Sequence, residues 1–115
     1  PFCWVDIAYQ YWPGEVKYNE ARFDGLLAHE LQHVFDFYAD FPTFWYSYKK
    51  KPAKRLYYEA RGYARQYLRY PEHSSARLEQ FAGFLHQGYN LEEHYTARDC
   101  FNAIADSIAE FESRP

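Results

Sequence analysis

Apolar positions change their period once along the chain. From Phe2 to Tyr11, β-forming residues run without helical spacing. Trp12-Pro13-Gly14 then reads as a turn and Glu15 to Tyr18 as a second short strand. From Asn19 onward the spacing is helical. Asn19 is placed to cap a first helix that runs free of Pro from Glu20 to about Phe41, where Pro42 stops it. Residues 42–51 read as an aromatic loop closing in Lys49-Lys50-Lys51. Pro52 suits the first turn of a second helix, to about Tyr70. Pro71 breaks it and opens a third over about 72–87, with Leu78, Phe81, Ala82 and Leu85 on one face. Gly88 and Asn90 mark a stop. A fourth helix, from about Leu91 to Glu112, gathers Ala97, Cys100, Phe101, Ile104, Ile108 and Phe111. The expected fold class is α+β and mainly helical: a short N-terminal sheet or hairpin, then about four helices, in one domain over residues 1–115.

Composition narrows the classes. A net charge of −3 with 25% charged residues excludes a nucleic-acid binder that works by bulk charge, and equally a disordered chain. No apolar run approaches the roughly 20 residues of a membrane span, and no signal-like run opens the chain. Aromatic residues make up 23% of the 115 positions, so the core is expected to be built largely from rings. No Met occurs, even at position 1. Loss of an initiator before Pro1 and a chain that is part of a longer one both fit. Cys3 and Cys100 match no zinc-finger spacing and read as two reduced thiols, which favours a cytoplasmic protein.

Chemistry concentrates in His29-Glu30-Leu31-Gln32-His33, an H-E-x-x-H motif. Residues four apart share one helix face, so both imidazoles can reach one tetrahedral zinc ion. Glu30, about 100° further round, lies beside the metal without being a ligand, where it can act as a general base. Leu27, Leu31, Val34, Phe35 and Tyr38 form an apolar arc opposite, and Leu26 and Phe37 join the histidine side. A helix apolar nearly all round is expected to be buried. Its imidazoles then need partners: a metal, or Tyr hydroxyls and carboxylates of the core.

Zinc requires a third protein ligand. Glu59 is the best candidate, at the edge of the apolar face of the second helix formed by Leu56, Ala60, Tyr63, Ala64 and Tyr67; pairing with Arg55 is the ordinary alternative. Glu79, Glu93 and His94 are weaker ligand candidates. Lys54, Arg61, Arg65 and Arg69 read as the wet face of the same helix. Gly62 costs a helix about 1 kcal/mol against Ala, which points to close packing against a neighbour. Asp36, one turn after His33, is a candidate to hold the second nitrogen of an imidazole.

His29 to Asp36, followed by Glu59-Ala60 and Tyr63-Ala64, resembles the gluzincin branch of the zinc metallopeptidases, the family that includes the catalytic domain of anthrax lethal factor and small zincins. The resemblance covers about residues 23–67. It implies that Zn²⁺ is held by His29, His33 and Glu59, that Glu30 is the catalytic base, and that the substrate is a peptide or protein. It also implies a short sheet before the motif helix whose edge strand pairs with extended substrate, and residues 2–18 could supply it. An oxyanion-stabilising group is expected, for which Tyr48, Tyr57, Tyr63 and His94 are all open. No nucleic acid or membrane partner is expected.

Two other readings compete. Glu30-x-x-His33 fits half of a di-iron carboxylate bundle, but no second Glu-x-x-His occurs in the chain. A non-catalytic zincin-like binding module would instead use aromatic surface, such as the run from Phe41 to Tyr48, on a protein partner. The basic run Lys49 to Arg55 could dock an acidic substrate, although a solvated loop accounts for it as well.

Overall fold

The computed structural model describes residues 20–70 and 72–113, with side chains from Gly25 onward. Five helices follow one another: α1 Glu20–Ala39, α2 Phe44–Lys50, α3 Pro52–Arg69, α4 Ser75–Gly88 and α5 Ala97–Glu112. The described residues are all-α, with no strand among them, which corrects the expected α+β class. The four helices expected from the period are all present, with shifted ends. The two strands expected over 2–18, the Asn19 cap and Cys3 lie outside the described residues.

The aromatic loop expected over 42–51 is also corrected, because most of it is the short helix α2. The Asp40 carbonyl accepts from the amides of Thr43 and Phe44 and so starts the helical turn. Phe44 is 1% exposed and packs on Tyr58, ring centroids 4.5 Å apart. Lys49 and Lys50 fall in the last turn, where cations suit the helix dipole. Burial of one ring on a distant helix outweighs the local loop signals.

Caps set two helix starts later than the period alone implies. The Ser74 hydroxyl accepts from the Arg77 amide at 3.2 Å, so α4 begins at Ser75 rather than 72. Thr96 and Asp99 form a reciprocal capping box, at 2.9 and 3.1 Å, and start α5 at Ala97 rather than 91. Asn90, with φ of 57°, takes the left-handed turn between the two.

Helix α3 is the centre of the molecule. From Tyr58 to Ala64 every residue is buried, which only a helix covered on several faces can show. One face, with Ala60, Tyr63, Ala64 and Tyr67, joins Phe81 and Leu85 of α4 and Cys100, Ile104, Ile108 and Phe111 of α5 in the apolar core. Another face meets α1. There the expectation of a helix buried nearly all round is corrected. His29, Gln32, His33 and Asp36 of α1 are buried, whereas Leu31, Phe35 and Tyr38 are 47%, 59% and 61% exposed. Arg61, expected on the wet face of α3, is 4% exposed because it lies against Asp36 of α1.

Candidate metal centre

The i, i+4 spacing on α1 brings His29 and His33 to one face, at 5% and 3% exposure, and α3 carries Glu59 opposite them at 2%. Both imidazole Nε2 atoms converge on one carboxylate oxygen. Glu59 Oε1 lies 3.3 Å from His29 Nε2 and 3.0 Å from His33 Nε2. The three donor atoms all lie within 4.8 Å of one another. Ligand atoms about 2.05 Å from a tetrahedral zinc ion stand about 3.3 Å apart, so the two nitrogen–oxygen separations already match. Arg55 does not compete for Glu59, since its guanidinium donates to the backbone carbonyls of Tyr48, Lys49, Tyr89 and Asn90.

The hydrogen positions around the group bear on its fitness for a cation. His29 Nδ1 lies 3.0 Å from Gln66 Oε1, an acceptor, so Nδ1 carries the hydrogen. In this orientation the Gln66 amide nitrogen faces the Tyr70 hydroxyl at 3.5 Å. The neutral ring then turns the lone pair of Nε2 toward the Glu59 carboxylate. Two acceptors face each other across 3.3 Å unless a positive charge, a proton or a metal ion, sits with them. The donor set fits a metal ion.

The electrostatics agree. Burial alone would raise the Glu59 carboxyl, but the imidazoles of His33 and His29 outweigh it and hold the group well below the usual carboxylate range. Burial opposes a charge on His33, yet Glu59, followed by Glu30 and Asp36, shifts its pKa upward. Glu59 is thus anionic, in a site built for positive charge.

Close approach of the two helices depends on Gly62. A Cβ there would lie 2.7 Å from Cδ2 and Nε2 of His29 and 3.1 Å from Cε1 of His33. The glycine leaves the cradle in which the imidazoles lie, and this is the packing its presence in a helix had signalled.

The surroundings hold Glu59 and His29 in place, whereas Asp36, expected to hold an imidazole nitrogen, pairs elsewhere. The Tyr48 hydroxyl, from α2, donates to Glu59 Oε2 at 2.5 Å. The Tyr63 ring meets His29 edge-on at 4.6 Å, and its hydroxyl lies 3.2 Å from that of Tyr89. Asp36 accepts from Gln32 Nε2 at 3.0 Å and Arg61 Nε at 3.1 Å. His33 Nδ1 is buried with no hydrogen-bond partner among the described residues.

A cavity of about 430 Å³ adjoins the group. His29, half-buried Glu30, Tyr63 and Gln66 form its wall on the metal side, and Tyr70 and Arg77 belong to its lining as well. Glu79, Glu93 and His94, the weaker ligand candidates, are exposed and stand outside the group. Gln66 was missed in the sequence. It is two turns beyond Glu59 on the same stripe of α3 as Gly62, a spacing that could have revealed it. Tyr48 was considered only as an oxyanion candidate; its bond to Glu59 comes from a helix that the local pattern did not show.

No protein-family model, curated protein or solved structure matches the chain. The structure itself therefore carries the assignment: a small helical domain with a buried His29/His33/Glu59 group that could hold a metal ion. Among the described residues, no helix is long and apolar enough to cross a membrane.

Proposed function

We propose that the domain is a zinc-dependent peptidase of the gluzincin type. The observation that supports this most is the convergence of His29, His33 and Glu59, donors from two helices, within 4.8 Å and beside an open cavity lined by Glu30. Zinc bound by these residues would supply Lewis acidity, polarising a peptide carbonyl and lowering the pKa of water. Glu30 belongs to the cavity wall and not to the ligand group, so its carboxylate is the base that accepts a proton from water and passes it to the leaving amine. Gln66 fixes the tautomer and tilt of His29, and Tyr48 fixes Glu59.

On this reading Tyr63 is the favoured oxyanion candidate. The Tyr48 hydroxyl is committed to Glu59, while Tyr57 and His94 are exposed and do not line the cavity. Tyr63 lines it. Burial raises its pKa, so its hydroxyl keeps the proton needed to stabilise an oxyanion. The edge strand proposed to pair with substrate lies outside the described residues.

A second reading, a zincin-like binding module, draws on the exposed rings of Phe35, Tyr38, Phe41 and Tyr46. Metal analysis and one substitution separate the two. The purified protein is expected to hold one zinc per chain and to lose it in His29→Ala. Glu30→Gln is expected to keep the metal while turnover of blocked peptides falls by roughly a hundredfold or more. Full turnover in Glu30→Gln, or a wild-type chain that takes up no metal, would sink the peptidase reading.

A further inference from the structure

The cavity has a second charged side chain that the peptidase chemistry does not use. Among its lining residues, Glu30 and Arg77 carry full charges apart from His29, and the rest are neutral. Arg77 comes from α4, a different helix from the metal donors. Its guanidinium carbon lies 4.1 Å from the Tyr70 ring centroid, which fixes the group in place by cation–π attraction. Its Nε is buried and has no hydrogen-bond partner among the described residues. A cation without an acceptor is costly, and a ligand that brings an anionic oxygen to the part of the guanidinium that lines the cavity offsets that cost. Arg77 is also in the first turn of α4, which carries no acidic side chain to neutralise it. Phe81 and Phe84 give the same cavity an apolar wall.

We infer that Arg77 is a specificity residue, selecting peptides that place a carboxylate next to an apolar side chain close to the bond to be cut. The carboxylate is either an acidic side chain within the substrate or the end of its chain. As a statement about substrate this rests on the peptidase reading, whereas binding of the carboxylate at Arg77 does not.

The test therefore has a binding arm and a turnover arm. In the first, ¹⁵N-labelled metal-free protein is titrated with N-acetylphenylalanine and with N-acetylphenylalaninamide, following the Arg77 Nε–H signal. The acid is expected to shift that signal and the amide to leave it in place. In the second, the zinc-loaded enzyme is given two peptide pairs. One pair is blocked at both ends and differs by Glu against Gln beside Phe; the other differs by a free against an amidated C-terminus. A preference for the carboxylate member of either pair of roughly ten- to a hundredfold in kcat/KM is expected. The pair that shows it identifies the source of the carboxylate. In Arg77→Gln the ratio is expected to collapse toward one, with zinc content unchanged.

No shift of the Arg77 signal by the acid, together with equal turnover within both pairs, would overturn the inference and leave the peptidase reading standing. A selective shift without turnover of any peptide would keep the Arg77 site and remove the peptidase reading. A ratio unaltered in Arg77→Gln would assign the preference elsewhere and overturn the inference.

Discussion

A methyl group added at Gly62 would lie 2.7 Å from two atoms of the His29 ring and 3.1 Å from His33. Helix propensity and site geometry therefore make opposite demands on this residue. Ala improves an exposed helix interior by about 1 kcal/mol over Gly. Overpacking against fixed rings costs about 1–3 kcal/mol, or else the rings move. Imidazoles displaced by a few tenths of an ångström no longer meet Glu59 Oε1 as they do now, so the loss is expected in the metal and not in the fold. Gly62→Ala is expected to remain helical and to bind zinc roughly ten- to a hundredfold more weakly, the range seen when support of a ligand is lost. Competition against a chromophoric chelator measures this. Unchanged affinity would mean that the rings tolerate the methyl group and that close packing is not why glycine stands there.

Between elements, α1 and α3 meet through polar groups, and the strongest tie is Asp36 with Arg61. Their side chains are 5% and 4% exposed, and Arg61 also reaches Glu110 of α5, which is 39% exposed and correspondingly screened. Burial raises the Asp36 carboxyl above its usual range although Arg61 pulls the other way. Arg61→Met would leave that carboxylate buried with Gln32 alone, and is expected to cost about 3–5 kcal/mol in urea unfolding. Asp36→Leu with Arg61→Met should recover most of the loss, because no unpaired charge remains. Equal losses in the single and double variants would show that the pair does not couple the helices. This seam also marks where sequence stops being informative. His29, Glu30 and His33 were legible because one helical turn fixes their spacing, and Glu59 because a carboxylate beside an apolar stripe needs a partner. Arg61 was assigned to water because its two acid partners lie on other helices, at positions no local pattern connects to it. That Leu31, Phe35 and Tyr38 of α1 face outward was hidden for the same reason: the His29/His33/Glu59 group and a buried ion pair, not apolar spacing, lie between α1 and α3. Helix α2 was hidden by the distant burial of Phe44 on Tyr58. The capping box at Thr96 and Asp99 was different, since it is a local signal and was overlooked.

At the scale of the molecule, the ligand group spans two helices that share little of the apolar core. Clustered buried residues come from α3, α4 and α5 together with Leu91 of the α4–α5 connection, and none from α1. An ion held by His29 and His33 of α1 and Glu59 of α3 would therefore tie the first helix to the rest of the molecule. A ligand bound only by the folded state stabilises it by about 2.7 kcal/mol at a hundred times its dissociation constant. In a domain of this size that moves the melting temperature by on the order of 10 °C. Zinc added to chelator-treated protein is expected to produce such a rise in wild type and none in His33→Ala. The Cys100 thiol provides an independent reading. It is 0% exposed and burial pushes it up to about 11, so it reacts with alkylating reagents only when α5 leaves α3 and α4. In a Cys3→Ser background, zinc should slow its labelling if metal stabilises the whole fold, and should leave labelling unchanged if it only fastens α1. Melting curves that coincide with and without zinc in wild type would show that the group does not bind the ion strongly enough to matter to the fold.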